Sequence, residues 1–192
     1  MDSVTADGLK QLLNKERIKD NLVSYCRGVD RREWDLVREA YHPDAYDDHG
    51  GYKGNVDGFM EWLERRHQTI EQSMHFIGNC KIDFLSDNVA VAETYCVAYQ
   101  RYGHEALETI KLWLGDEPLQ EGKKVVVELL CRYVDRMECR QGVWKIASRI
   151  VAIEDVKAAQ QVDRLQPIWA LAKRDRSDAL WQMLAGSADA KR

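Results

Sequence analysis

Apolar positions along this chain follow two periods, and the change between them falls near residue 75. From Gly8 to Gly28 the residues Leu9, Leu12, Leu13, Ile18, Leu22, Tyr25 and Val29 recur at three- and four-residue steps. That spacing predicts an amphipathic helix with Gly28 as its stop. A short second helix is expected over "REWDLVREAY", with Trp34, Val37 and Tyr41 on one side. The segment "HPDAYDDHGGYKG" is punctuated by Pro43, Gly50, Gly51 and Gly54 and reads as turns. Asn55 or Asp57 can then cap a third helix in which Phe59, Trp62, Leu63 and Arg66 share a face.

From His75 onward the pattern alternates. "HFIGNCKIDFL" sets Phe76, Cys80, Ile82 and Phe84 on one side, and "NVAVAETYCVAYQRY" does the same with Val89, Val91, Tyr95, Val97 and Tyr99. "KKVVVELLCRYVDRMECR" and "VWKIASRIVAIEDV" predict two more long strands joined at "RQGV". Helices followed by a curved, mostly antiparallel sheet is the α+β order. Residues 103–122 form an insert too long for a hairpin and too apolar for a plain loop, with Leu107, Ile110, Leu112, Trp113 and Leu114. Residues 158–192 are expected to be a helical tail carrying Trp169 and Trp181, so the domain proper is placed at residues 1–157.

Composition narrows the function classes. A chain of 192 residues with 45% hydrophobic and 31% charged residues can bury one real core. The formal net charge of -4 gives no footprint for nucleic acid or an anionic membrane, and no apolar run approaches the ~20 residues of a membrane span. Gly-rich phosphate-binding loops are absent, and the first residues lack a signal-peptide pattern, so the cytoplasm is the expected location. The 5 cysteines, Cys26, Cys80, Cys96, Cys131 and Cys139, form no CxxC and are expected to be reduced.

Taken singly, the candidate chemical residues have bland readings. Asp30 in "GVDRREWD" could cap the next helix, Tyr25 could be an apolar-face tyrosine, and His75 in "SMHFIGN" could open a strand with a backbone partner. His49 in "YDDHGG" is either a second acid or base or a surface turn residue. A metal at Asp47, Asp48 and His49 ranks well behind, because adjacent residues on an extended chain point to opposite faces.

Together these residues resemble the SnoaL-like branch of the NTF2-like superfamily, which includes scytalone dehydratase, hexachlorocyclohexane dehydrochlorinase and bile-acid 7α-dehydratase. The resemblance lies in "GVDRREWD" after the first helix, "SMHFIGN" at the first long strand, "YKG" before the third helix and "GVWKI" in the last hairpin, and it covers about residues 10–155. It implies a cone-shaped fold in which a curved sheet wraps the N-terminal helices around a pocket. It also implies that Asp30 and His75 meet there as a proton-abstracting dyad, with Tyr25 as a hydrogen-bond donor. Tyr46, His49, Tyr99, Arg101 and Trp34 are then candidates for substrate binding.

The function so implied is a lyase without metal or cofactor, dehydratase-like, acting on a small hydrophobic or aromatic compound. Formaldehyde release from an aromatic dimer, isomerisation by the same dyad, and a non-catalytic ligand-binding module are the alternatives. A homodimer or homotrimer is expected, with Val125, Val126, Val127 and Leu130 on an exposed sheet face.

Overall fold

The computed structural model describes residues 3–189. Helix α1 (Ser3–Arg31) is followed by α2 (Trp34–Glu39), strands β1 (Tyr41–Asp48) and β2 (Lys53–Asn55), and helix α3 (Val56–His67). Strands β3 (Ile70–Ser86) and β4 (Val89–Tyr102) lead to helix α4 (Leu107–Leu114). Strands β5 (Lys123–Arg140) and β6 (Val143–Val162) and a final helix α5 (Ala179–Asp189) complete the chain. One six-stranded sheet runs in the order β2-β1-β6-β5-β4-β3, antiparallel except where β1 lies parallel to β6.

The core fills the inner face of this sheet. Ile18, Leu22, Tyr25 and Val29 of α1 and Phe59 and Leu63 of α3 pack against Ala90, Ala92, Cys96, Tyr133, Met137 and Ile146. Small residues on β4 let the helices approach a sheet that curls around them. Leu9, Leu12 and Leu13 stay about half exposed, so the buried stripe of α1 begins only at Ile18.

Several sequence expectations need correction. Helix α1 does not stop at Gly28 but continues to Arg31, and Arg32 closes it at φ 56°, in the left-handed region. Gly28 serves close packing instead, since a Cβ there would meet Val37 Cγ2 at 2.8 Å and the Glu33 carbonyl oxygen at 3.1 Å. Most of the expected turn segment is β1, and Pro43 is accommodated where its pairing with β6 slips between Tyr41 and Tyr46.

Strand β3 starts at Ile70, ahead of His75, and β6 runs to Val162, beyond the expected boundary at 157. Residues 163–178 are irregular rather than helical, and Ile168 and Trp169 are exposed. Residues 1, 2 and 190–192 of the two assigned segments lie outside the described residues. Val125, Val126 and Val127 are buried, two of them in a small second core with Ile70, Tyr102, Ala106 and Ile110. Exposed apolar residues of β3 and β4 are Met74, Phe76, Tyr95 and Val97, with Leu85 near the end of β3.

Asn55 caps α3 as expected, its Oδ1 accepting the Gly58 N–H at 3.0 Å. The β5–β6 hairpin turns on Gln141 and Gly142, both at positive φ. All five cysteines are free, and no helix among the described residues is long and apolar enough to cross a membrane.

Candidate active site

The last turn of α1 and the start of β3 carry the centre of the site. Asp30 lies inside that last turn and does not cap α2, whose N-cap position is Glu33. Its Oδ1 accepts from His75 Nδ1 at 2.7 Å and from Ser73 Oγ at 2.8 Å, while Oδ2 accepts the His75 backbone N–H at 2.8 Å. Burial alone would raise the Asp30 pKa, but the hydrogen bonds and charge of His75, with Ser73, hold it below the usual carboxylate range. For His75, burial pulls downward, yet the bond to Asp30 and its charge leave the imidazole pKa above its ordinary value. Because Nδ1 is committed to the carboxylate, Nε2 is left as the nitrogen that can take a proton.

His75 lines a cavity of about 160 Å³ together with Tyr25, His49, Trp62, His67 and Tyr133. Apolar walls come from Val29, Leu63, Ala98, Leu129, Val151 and Ile153, and Leu112 and Trp113 of α4 reach the same space. The insert at 103–122 therefore contributes to the cavity wall.

A second histidine–carboxylate pair faces the cavity. Asp47 is fully buried and accepts from His49 Nδ1 through one oxygen and from Tyr41 Oη at 2.7 Å through the other. His49 Nε2 then accepts from Tyr25 Oη at 3.2 Å. The Tyr25 hydroxyl proton is thus engaged by His49, a partner that sequence reasoning did not foresee. Burial pushes the Tyr25 pKa upward and keeps the hydroxyl protonated. Behind Tyr25, the Arg149 guanidinium sits 4.2 Å from the Tyr25 and Tyr133 ring centroids, and its Nε and Nη2 bond Asp135 at 2.7 and 2.8 Å.

Of the expected binding residues, only His49 joins Asp30, Tyr25 and His75 in this region. Alternation along β1 turns Asp47 inward and leaves Tyr46 46% exposed. Tyr99 and Arg101 are on the outer side of β4 and border a different groove, with Lys124, Asp163 and Trp169. Trp34 packs edge-on against the outer side of His67, at 5.8 Å between centroids, and does not line the cavity.

Residues that sequence reasoning missed are Ser73, His67, Arg174 and the Arg149–Asp135 pair, and Asp47 was weighed only as a metal ligand. The i, i+2 spacings Ser73–His75 and Asp47–His49 are the signals that a strand assignment would have exposed. At the far end of the cavity, Arg66 Nη2 donates to Gln100 Oε1 at 3.1 Å and Tyr102 Oη at 2.6 Å.

The family model for the SnoaL-like domain matches residues 10–150. The chain belongs to that family. Its fold recurs in a hexachlorocyclohexane dehydrochlorinase (LinA) Type2, with TM-score 0.67 and 14% identity over 84% of this chain and 99% of that one. A scytalone dehydratase-like protein from Novosphingobium aromaticivorans superposes with TM-score 0.63 and 18% identity, covering 83% of this chain and 95% of that one. A protein of unknown function from Mycobacterium tuberculosis has TM-score 0.59 and 16% identity, and covers 99% of this chain and 92% of its own. At these identities the likeness establishes the NTF2-like fold. Comparison with curated proteins found no match.

Proposed function

We propose that this SnoaL-like protein is a cofactor-independent lyase that eliminates water or another small group from a hydrophobic or aromatic compound. The observation that carries this reading is the 2.7 Å contact between Asp30 and His75 Nδ1 at the wall of a mainly apolar cavity. His75 Nε2 takes a proton from a substrate carbon, and Asp30 fixes the tautomer and stabilises the imidazolium that forms. No serine or cysteine hydrogen-bonds either His75 nitrogen among the described residues, which favours proton abstraction over nucleophilic attack. The Tyr25 hydroxyl, kept protonated by burial, turns from His49 Nε2 to donate a hydrogen bond to the departing oxygen, and the proton that His75 took from carbon leaves with that oxygen as water. Aromatic walls at Trp62, Trp113 and Tyr133 suit a flat substrate.

The test is a panel of aryl-substituted alcohols and alkyl halides incubated with the protein, with conjugated alkene formation followed by ultraviolet absorbance. Turnover that disappears in His75→Ala and Asp30→Asn, with unchanged circular dichroism, supports the reading. Turnover that survives both substitutions sinks it. The reading includes a cytoplasmic location and self-association as a dimer or trimer through the β3–β4 outer face at Met74, Phe76, Tyr95 and Val97. Sedimentation of the wild type against Phe76→Lys tests that last element.

A further inference from the structure

The segment after β6 returns to the site through one buried side chain. Arg174 is 7% exposed and spreads its guanidinium across three carbonyls and one ring nitrogen. Its Nε donates to the Asp30 carbonyl oxygen at 2.9 Å, Nη1 to that of Ile70 at 2.7 Å, and Nη2 to that of Val29 at 2.8 Å. The same Nη2 lies 2.6 Å from His67 Nδ1. A guanidinium only donates, so His67 Nδ1 must accept, and the ring proton sits on Nε2. His67 ends α3, is 1% exposed and walls the cavity shared with His75. Its Nε2 has no protein partner among the described residues.

We infer that His67, locked by Arg174 in the neutral Nε2–H form, is a fixed hydrogen-bond donor to an oxygen of the ligand in this cavity. The ligand class is an aromatic compound bearing a carbonyl or comparable oxygen acceptor. The assignment rests on the proposed function only in taking this cavity as the reacting site. Arg174 is a positioning residue. It lies outside residues 10–150 matched by the family model, so this chain's own C-terminal segment completes the arrangement.

The electrostatic surroundings favour the neutral ring. Burial, then the charges of Arg174, His75, Arg66 and Arg32, hold the His67 pKa well below its ordinary value. Arg66 precedes His67 on α3, Arg32 donates to the His67 carbonyl oxygen at 2.7 Å, and Trp34 meets the His67 ring in a T-shaped contact. A neutral N–H keeps its proton while the oxygen beside it gains charge, so it can stabilise that oxygen without competing with His75 for the proton. The segment is anchored on both sides of Arg174. Gln72 Nε2 donates to the Ala172 carbonyl oxygen at 2.7 Å, and Asp178 Oδ2 accepts the Lys173 N–H at 2.8 Å.

Two measurements on the full chain test this without requiring turnover. Long-range proton–nitrogen spectra of histidine should show His67 as the neutral Nε2–H tautomer at neutral pH and down through the ordinary imidazole midpoint of ~6.5. An imidazolium at neutral pH, or the Nδ1–H tautomer, overturns the assignment. Arg174→Gln should release the lock, giving mixed tautomers and a His67 pKa closer to ordinary. A tautomer unchanged in Arg174→Gln overturns the positioning role.

The second measurement compares acetophenone with α-methylstyrene, which has the same shape but no oxygen. The wild type should bind acetophenone roughly 3- to 10-fold tighter, the range of one neutral hydrogen bond. His67→Phe should lose that preference while keeping affinity for α-methylstyrene. Equal binding of the two probes to the wild type, or a preference that persists in His67→Phe, overturns the donor role. Failure of His75 as a base would appear in turnover alone, so the two proposals fail separately.

Discussion

Asp30 grips His75 twice, taking the ring Nδ1–H at 2.7 Å through one carboxylate oxygen and the backbone N–H at 2.8 Å through the other. The double hold fixes the position of the strand as well as the orientation of the ring. It ties the last turn of α1 to the first half of β3.

The first prediction concerns the pH profile of the proposed reaction. His75 must be neutral to act as a base, and its pKa is raised above the ordinary ~6.5. Activity should therefore fall as pH drops through a midpoint above ~6.5, and Asp30→Asn should move that midpoint down. The same substitution should cut kcat/KM roughly 10²- to 10⁴-fold, because the asparagine can no longer stabilise the imidazolium. A midpoint that stays in place in Asp30→Asn would show that another group sets the profile.

Stability should depend on pH through the same contact. His75 has a raised folded-state pKa, so its stabilisation is present below ~6.5 and is lost as pH rises through the folded value. Asp30 is lowered, so its stabilisation is present above ~3.9 and is lost as pH falls through its folded value. Wild type minus Asp30→Asn in urea melts should thus be largest between about pH 4 and 6.5. His67 acts in the opposite sense, since its lowered pKa makes low pH destabilising, but it is common to both proteins and cancels in the difference.

Gly28→Ala should destabilise the fold despite improving helix propensity. The new methyl carbon would lie 2.8 Å from Val37 Cγ2 and 3.0 Å from the Val37 backbone nitrogen, so α2 must move away from α1. Overpacking of this kind costs roughly 1–3 kcal/mol, against a gain of about 1 kcal/mol from replacing a helical glycine. Chemical denaturation should show a net loss, and the His75 resonance should shift because Asp30 sits two residues further along the displaced helix.

The long strands and helices α1 to α3 were legible because each follows a strong period, and the Asp30–His75 contact was implied by the resemblance carried in "GVDRREWD" and "SMHFIGN". Strand β1 was not legible, because Pro43 interrupts it, the Gly50–Gly51 pair follows it, and its longer pairing is with β6, about 100 residues away. That omission hid the Asp47–His49 pairing, since reading 42–54 as turns removes the alternation that places Asp47 and His49 on one side. Arg174 left no local pattern at all. Its partners are backbone carbonyls and one ring nitrogen from three distant places, and no spacing in an irregular segment encodes them. Tyr99 and Arg101 failed for the opposite reason: they belong to a regular strand, but to the face that looks away from the cavity.

The buried Arg149–Asp135 pair should be costly to break from one side only. Both residues are fully buried, and Asp135 holds Nε and Nη2 in a two-point contact. Asp135→Asn would leave an uncompensated guanidinium among Tyr25, Tyr41 and Tyr133, at about 3–5 kcal/mol. Replacing both, as Asp135→Leu with Arg149→Met, should recover much of that loss in thermal or urea melts. The double variant should still disturb ligand binding, because Tyr25 loses the cation packed against its ring.

Helix α4 offers a separable effect on binding. Ile110 is 4% exposed and roots the helix in the second core, whereas Leu112 is 73% exposed, yet both Leu112 and Trp113 reach the cavity. Gly115 ends the helix at φ 63°, in the left-handed region that glycine adopts without strain. Trp113→Ala removes an aromatic wall without touching Asp30, His75 or Tyr25. Binding of a flat aromatic ligand should weaken roughly 10-fold or more, in keeping with 1.5–3 kcal/mol for the lost apolar burial. If Trp113 contacts the bound and reacting forms equally, KM should rise while kcat stays nearly constant. A fall in kcat at unchanged KM would mean that the helix orders the reacting groups, and solvent exclusion by α4 would then be part of the chemistry.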